Sequence, residues 1–321
     1  MKKALIIGAG GFVGNYLIDY ILRNCIWSIS ATKLAHEAIV NDSVDLYNLN
    51  LLNENEIKEL LDKVRPDYVF HLAAQSSVAL SWENPNLTVD VNIKGTLNIL
   101  EGIRKLNSRS RVMLIGSGEE YGYIKPEEVP INEDNRLRPG NIYAATKACQ
   151  NMLGKIYSNA YDLDIISVRA FNHIGPNQAS TFVVSDFCKQ VAEIEVGIKE
   201  PVIKVGNLKA KRDFTDVRDV VGAYVMIMEH GEKGETYNIG SGQAVEIEKI
   251  LNMIVKLSEK TIKIEVDKNK LRPMDVPIIE ADIEKLVKTT GWKKKIDLEQ
   301  TLKETLEYWR EKIKKGNSMH E

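Results

Sequence analysis

Three cysteines in 321 residues, Cys25, Cys149 and Cys188, form no C-x-x-C pair and are odd in number. Neither a disulfide framework nor a paired-thiolate zinc site is indicated, so free thiols in a reducing compartment are expected. A surplus of one charge is equally lacking, because 43 lysines and arginines face 45 aspartates and glutamates. That balance leaves no general field to hold nucleic acid or an anionic membrane, and any anionic ligand must be gripped locally. Long apolar runs are missing as well. Met1-Lys2-Lys3 passes into Ala4-Leu5-Ile6-Ile7 and then glycines, too little for a secretory h-region or a membrane span, which points to the cytoplasm. No repeat or low-complexity segment appears, and the lysine-rich stretch Lys312 to Lys315 reads as a solvated helix end.

What is present suits an enzyme-sized soluble protein: 44% hydrophobic and 27% charged residues can build a sizeable core. Short apolar runs alternate with longer amphipathic ones: Ala4-Ile7 then Phe12-Leu22, Ile26-Ala31, Ile57-Val64 then Tyr68-Leu72, Val91-Leu106 then Val112-Ile115. Unalternating apolar runs fit parallel strands buried on both faces, with crossover helices between them. The predicted fold is a doubly wound parallel α/β sheet (Rossmann) with a smaller C-terminal substrate-binding domain. After Ile165-Arg169 the rhythm breaks at Asn172-His173-Ile174-Gly175-Pro176, and a helix is predicted from Val183 to Ile198. Asp213 to Val217 and Tyr237 to Gly240 read as returns to the nucleotide-binding sheet. The expected boundary is therefore interleaved, residues 1–172 with about 207–240 against 173–206 with about 241–321.

Gly8-Ala9-Gly10-Gly11-Phe12-Val13-Gly14 follows the first predicted strand and opens a helix. In that setting a G-x-x-G-x-x-G loop brings backbone N–H groups and a helix N-terminus to a pyrophosphate, where a glycine loop elsewhere would be only a tight turn. At the end of the second strand, where folds that prefer NAD place an acid, the chain has Ser30-Ala31-Thr32-Lys33. Thr32 and the cationic Lys33 suit a 2′-phosphate, so NADP(H) is expected as the preferred cofactor and NAD(H) as the second choice.

Tyr143-Ala144-Ala145-Thr146-Lys147 sets a phenol and an ammonium one helical turn apart on one face. The cation is expected to draw the Tyr143 pKa toward neutrality, and Tyr143 then donates the proton a reduced carbonyl oxygen needs. Ser117, just beyond Val112-Ile115, sits where ligands bind such sheets and can hydrogen-bond the same oxygen. His71 and His173 lack a neighbouring acid or histidine at metal spacing, and no metal is expected.

In this order of motifs the chain resembles the extended short-chain dehydrogenase/reductases over nearly all its length. Gly8, Gly11 and Gly14 match the glycine loop, His71-Leu72-Ala73-Ala74 the fourth-strand motif, Asn92 the structural asparagine, and Ser117, Tyr143 and Lys147 the catalytic trio. Within that family Phe171 to Gln178, Phe182 to Phe187 and Arg212 to Asp219 look like GDP-4-keto-6-deoxy-D-mannose reductases. The resemblance implies hydride transfer from NAD(P)H to C4 of a GDP-linked 4-keto-6-deoxy sugar, giving GDP-D-rhamnose. It implies cofactor contacts at Gly8, Gly11, Phe12, Val13, Gly14, Thr32, Lys33, Asn50, Leu51, Leu72, Ala73, Ala74, Asn92, Tyr143, Lys147 and Phe171. It implies substrate contacts at Ser76, Glu119, Asn172, Gln178, Val183, Arg212 and Arg272, the two arginines in predicted loops near the diphosphate. A homodimer through Val91-Leu106 and Asn141-Tyr161 is likewise implied.

Some residues depart from the pattern or point elsewhere. The adenine-side aspartate of the family falls at Asn50, Ile142 replaces the proline before the tyrosine, and Ala170 replaces another. Glu119 matches the glutamate with which GDP-mannose 4,6-dehydratases eliminate water. Against that reading, those dehydratases carry an Arg-Lys pair where this chain has Ser185-Asp186, and N-H-E-S-P where it has Asn172 to Pro176. A nucleotide-sugar 4-epimerase also fits the first half, and a non-enzymatic NAD(P)H sensor fits the fold; a sensor has no need of the proton donor Tyr143.

Overall fold

The computed structural model describes residues 1–35, 37, 39, 43–267 and 276–317. The first half alternates β1 (Lys2–Ile7), α1 (Phe12–Asn24), β2 (Trp27–Lys33), β3 (Asp45–Asn48), α2 (Glu54–Val64), β4 (Tyr68–His71), α3 (Val78–Glu83), α4 (Pro85–Val89), α5 (Gly95–Lys105), β5 (Arg111–Ser117), α6 (Ile142–Tyr161) and β6 (Ile165–Ala170). Next come β7 (Asn172–Ile174), α7 (Val183–Glu195), β8 (Val202–Val205), β9 (Lys211–Asp216), α8 (Val217–His230), β10 (Thr236–Ile239), β11 (Ala244–Glu246), α9 (Ile247–Val255), β12 (Lys263–Val266), β13 (Ile278–Ile279), α10 (Glu284–Thr290) and α11 (Leu298–Asn317).

Seven parallel strands run in the order β10-β6-β5-β4-β1-β2-β3, a doubly wound sheet whose order reverses between β1 and β4. That reversal opens a crevice beyond the strands' C-terminal ends. Alternation within β1 shows why the sheet is buried twice: Ala4 and Ile6 pack with α1 and α8, while Leu5 and Ile7 pack with α2 and α5. α2 follows the amphipathic rule closely. It buries Ile57, Leu60, Leu61 and Val64, starts at Asn53, whose side chain accepts from the Asn55 and Glu56 N–H groups, and ends at Arg65 in the left-handed region. The helix predicted over Val91-Leu106 begins as a π-helical turn, Asp90–Lys94, before α5. The helix predicted to Ile198 stops at Glu195, because Gly197 takes a positive φ and the Ile198 N–H turns back to the Glu193 carbonyl.

One return to the main sheet is as expected and one is not. Thr236–Ile239 pairs with β6 in parallel, but Lys211–Asp216 forms the centre of a separate small sheet with β11, β13 and β7. The reason lies in Asp213. Its buried carboxylate accepts from the Ser241 N–H and hydroxyl and the Gly242 and Ala281 N–H groups (2.6–3.1 Å), a set of donors that an apolar parallel sheet cannot offer. The chain rejoins the main layer one element later, through α8 packed on α1. A second core forms among α7, α9, α11, β8 and β9, with Phe187, Ile250, Leu306 and Trp309 at its centre.

Candidate active site

The crevice is floored by the turn from β1 into α1. Gly8 has φ 88°, and a Cβ there would stand 2.6 Å from the Ala73 backbone, so only glycine lets the loop close against the segment after β4. Gly11 precedes α1 without any side-chain cap, leaving first-turn N–H groups for an anionic ligand, and only the Gly8 carbonyl at 3.6 Å would touch a Cβ on Gly11. These features fit a dinucleotide pyrophosphate. Phe12 stacks on His173 (centroids 6.1 Å, planes 5° apart) and the Tyr16 hydroxyl donates to the Pro176 carbonyl (2.9 Å), which seats the loop after β7 at the N-terminal end of α1.

Around this floor the residues expected at the cofactor divide into two groups. Leu72, Ala73 and Ala74 are half-buried beside the glycine loop, and the Leu72 and Ala73 N–H groups both donate to the Ile7 carbonyl (2.9 Å). Phe171 is buried with its ring against Gly118. Leu51 packs on Gly95, and Asn50 is exposed, its Oδ1 accepting from the Leu52 N–H (3.0 Å). Two of them are engaged within the protein. Thr32 is buried and its hydroxyl accepts the Gly8 N–H (3.0 Å), so it braces the loop. Asn92 is fully buried, with Oδ1 on the Gln75 N–H (2.8 Å) and Nδ2 on the Gln75 carbonyl (3.0 Å) and the Thr146 hydroxyl (2.9 Å), which makes it a tie between the β4 loop and α6.

Lys33 keeps its place at the end of β2, its Nζ donating to the Glu37 carbonyl (2.7 Å). Sequence reasoning missed Glu37 itself. Its Oε2 accepts the Leu34 N–H (2.8 Å), and its carboxylate lies where a side chain on Gly10 would project, directly over the glycine loop. An acid within a few residues of the strand end was the available signal. Removing this charge should favour a 2′-phosphate: Glu37→Gln is expected to raise the NADPH over NADH preference in kcat/KM by about three- to tenfold. An unchanged ratio would place Glu37 away from the adenosine end.

The residues expected to be catalytic assemble where β5 ends beside the first turns of α6. Asn141 caps α6, its Oδ1 accepting the Ala144 N–H (2.8 Å), and its Nδ2 donates to Glu119 Oε2 (3.1 Å). Glu119, whose own N–H donates to the Ser117 hydroxyl (3.2 Å), thus links the strand end to the helix start. The Ser117 hydroxyl lies near enough to the Tyr143 phenol to act on its proton. Lys147 is buried one turn on, with Nζ donating to the Ile115 carbonyl (2.6 Å) and Gln150 Oε1 (3.2 Å).

Electrostatics here run against the sequence expectation. Burial pushes the Tyr143 phenol above its ordinary range; the nearby Ser117 hydroxyl pulls it down, and Glu119 and Glu120 push it up. Lys147 does not win because its ammonium points to the Ile115 carbonyl on the sheet side, and burial pulls it down to about 8 while Glu120 raises it. Tyr143 therefore holds its proton at neutral pH, the state an acid requires. His71 is pushed down to about 3, first by burial and then by Lys147. Its Nε2 bonds the Thr96 hydroxyl (3.0 Å), which donates onward to the Asn92 carbonyl (2.7 Å), so His71 is a neutral structural group. Among the described residues no cluster of three histidines, cysteines or acids could hold a metal.

The residues expected at the substrate are spread more widely. Ser76, Asn172 and Val183 are exposed. Gln178 is buried, its Nε2 donating to the His173 carbonyl (2.8 Å), so it shapes the loop from beneath. Arg212 lies in strand β9 and not in a loop, with Nη1 on the Lys211 (2.8 Å) and Val276 (2.7 Å) carbonyls. Arg272 lies outside the described residues. Ser185, at the position of the dehydratase Arg-Lys pair, is fully buried; its hydroxyl donates to the Gln178 carbonyl (2.6 Å) and accepts from Trp309 Nε1 (2.9 Å).

The family described as GDP-mannose 4,6 dehydratase matches residues 5–305. GDP-6-deoxy-D-mannose reductase of Pseudomonas aeruginosa is 28% identical over 314 residues, covering 98% of this chain and 99% of that protein. The structure of RMD from Pseudomonas aeruginosa complexed with NADPH superposes with a TM-score of 0.87 at 28% identity, over 97% of this chain and 100% of that one. UDP-glucose 4-epimerase of Thermus thermophilus, in complex with NAD, follows at 0.85 and 26% identity, over 96% and 99%.

Proposed function

The chain belongs to the GDP-mannose 4,6-dehydratase family, within the extended short-chain dehydrogenase/reductases, and on that premise we propose that it works as a keto-sugar reductase. The reaction is hydride transfer from NADPH, with NADH as second choice, to C4 of GDP-4-keto-6-deoxy-D-mannose, giving GDP-D-rhamnose. The observation that carries the choice of reductase is Ser185. A small hydroxyl sealed between the Gln178 carbonyl and the Trp309 indole occupies the place of the dehydratase Arg-Lys pair, and no arginine side chain fits a site with no exposed surface. Glu119 agrees, since Asn141 holds its carboxylate at the cap of α6.

In this reading the reduced nicotinamide of the bound cofactor supplies the hydride. Ser117 hydrogen-bonds the C4 carbonyl oxygen and sets it beside Tyr143. As charge builds on that oxygen the phenol gives it a proton, and the resulting phenolate is stabilised by the Ser117 hydroxyl; the Lys147 ammonium, held one turn on, would reach it by leaving the Ile115 carbonyl. Lys147, held at about 8, loses its charge above that pH, so kcat should fall as pH rises through about 8. The residues of the main sheet with α8 form the nucleotide half, and the GDP-sugar lies against the lobe of α7, α9 and α11. A homodimer through α5 and α6 is part of the same proposal, supported by Met152, Ile156 and Tyr161 standing exposed along α6 at 57%, 55% and 50%. So is a cytoplasmic setting, supported by three free thiols. Among the described residues no helix is long and apolar enough to cross a membrane.

The test is absorbance of the reduced nicotinamide after mixing enzyme, NADPH or NADH, and the keto sugar, with GDP-D-mannose in parallel. Decay that requires the keto sugar is expected. Water elimination from GDP-D-mannose without added cofactor would make the chain a dehydratase instead.

A further inference from the structure

The reduction uses Ser117, Tyr143 and Lys147 but leaves unexplained a second acid, Glu120, beside Glu119. It is fully buried, with no exposed surface, in the 3-10 turn after β5. Its Oε1 accepts the Ser117 N–H (2.8 Å), while its Oε2 accepts Asn151 Nδ2 (2.5 Å) and Arg169 Nε (3.1 Å). Gly116 is required by the same carboxylate, because a Cβ there would collide with Glu120 Oε1 and the Val168 carbonyl. Asn151 stands one turn beyond Lys147 on the buried face of α6. Three elements thus converge on one carboxylate: the end of β5, the body of α6 and, through Arg169, β6. An apolar side chain there would leave the Ser117 N–H, Asn151 Nδ2 and Arg169 without their acceptor, so the carboxylate is what ties the three elements together.

We propose that Glu120 is a positioning residue for the reduction, whose carboxylate clamps the Ser117 end of β5 to the Lys147 face of α6. The clamp sets the spacing between the hydroxyl that orients the carbonyl and the helix that carries the proton donor. The charged and titratable groups facing it are Arg169 from β6, Lys147 and Tyr143 from α6, Glu119 and Tyr121 from its own turn, and Glu133 beyond Arg169. Of these Arg169 is the near neighbour, hydrogen-bonded in turn to the Tyr121 hydroxyl (2.9 Å) and the Glu133 carbonyl (3.1 Å), so it is fixed and does not swing toward Lys147. Loss of the carboxylate charge lets Lys147 give up its proton more readily, because Glu120 is what opposes the burial of that ammonium.

This inference rests on the reading of Tyr143 and Lys147 as the proton-donating pair, and its test separates the two. Glu120→Gln keeps size and removes charge. Its kcat is expected to fall about thirtyfold with KM for the keto sugar within about threefold, and the basic limb of the pH profile to move down by about one pH unit. Glu120→Asp restores most of the limb. NMR of enzyme labelled at lysine Cε, with Lys147→Met to assign the signal, reads the same titration without turnover. A limb and a Lys147 titration that match the unaltered enzyme would overturn the proposal, as would a loss confined to KM or melting temperature. If the unaltered enzyme does not consume NADPH with the keto sugar, the reaction assignment falls while the Lys147 titration still decides the role of Glu120. Should Glu120→Gln fail to fold, Asn151→Ala cuts the tie to α6 and leaves the charge. The proposal then requires about a tenfold loss of kcat with the limb in place, and full kcat would refute it.

Discussion

Exchange of Tyr143 for phenylalanine is expected to lower kcat about a thousandfold, within the range that a positioned general acid contributes. The ring stays, so packing at the start of α6 and the affinity for the dinucleotide should hardly change. What disappears is the single proton that the structure keeps on the phenol at neutral pH by burying it and setting Glu119 and Glu120 nearby. Lys147 cannot stand in for it, since its Nζ is held by the Ile115 carbonyl and Gln150. The measurement is single-turnover NADPH oxidation with the keto sugar, alongside a binding titration of NADPH. Turnover near that of the unaltered enzyme would remove Tyr143 from the acid role, and lost NADPH binding would show that the change reached the pocket instead.

The second large effect concerns stability. Arg169→Met is expected to cost about 3–5 kcal/mol at neutral pH, because it strands the Glu120 carboxylate at a position with no exposed surface. The sign of the pH dependence follows from Glu120. Burial raises its pKa in the folded protein, and the substitution removes the coulombic and hydrogen-bonding pull of Arg169 that opposes that rise. A carboxyl whose folded pKa lies above its unfolded value favours folding in acid and loses that contribution as pH rises through the folded pKa. The gap between Arg169→Met and the unaltered protein should therefore narrow as pH falls through the raised pKa of Glu120 and be widest at the alkaline end. Urea unfolding at several pH values reads it; a gap that is constant with pH would mean that Glu120 does not bear the uncompensated charge.

The main sheet was legible in the sequence because apolar runs such as Ala4-Ile7 and Val112-Ile115 need no partner to announce a strand buried on both faces. The glycine loop, Ser117, Tyr143 and Lys147 were legible because each belongs to a local spacing with a local consequence. Strand β9 misled for the opposite reason. Phe214 and Val217 suggest a core strand, but the fate of the segment is decided by Asp213 and donors at Ser241, Gly242 and Ala281, far away in sequence. Glu120 and Arg169 were invisible in the same way, since a buried ion pair has no periodicity. Thr32 was read by type as a phosphate ligand, and only the turn at Gly8 shows that its hydroxyl is already engaged. The pull of Lys147 on Tyr143 failed because spacing along a helix fixes the face a side chain shares, not which way its charged end points.

The late arrival of β10 matters for how the chain is made. β6 is buried along its whole length and pairs with β5 on one side, while its other edge waits for Thr236–Ile239. Between them the chain must lay down β7 to β9 and α7 and α8, elements that belong largely to the other lobe. A nascent polypeptide emerging N-terminus first thus carries Ile165-Ile166-Ser167-Val168 with a row of unpaired backbone groups until the ribosome has passed residue 239. Because the closing strand comes from beyond β7 to β9, the seven-stranded sheet cannot be completed by its own contiguous sequence. The two layers are in this sense obliged to mature together, and a gene fragment coding for the first six strands alone would yield an open, adhesive edge in place of a closed sheet.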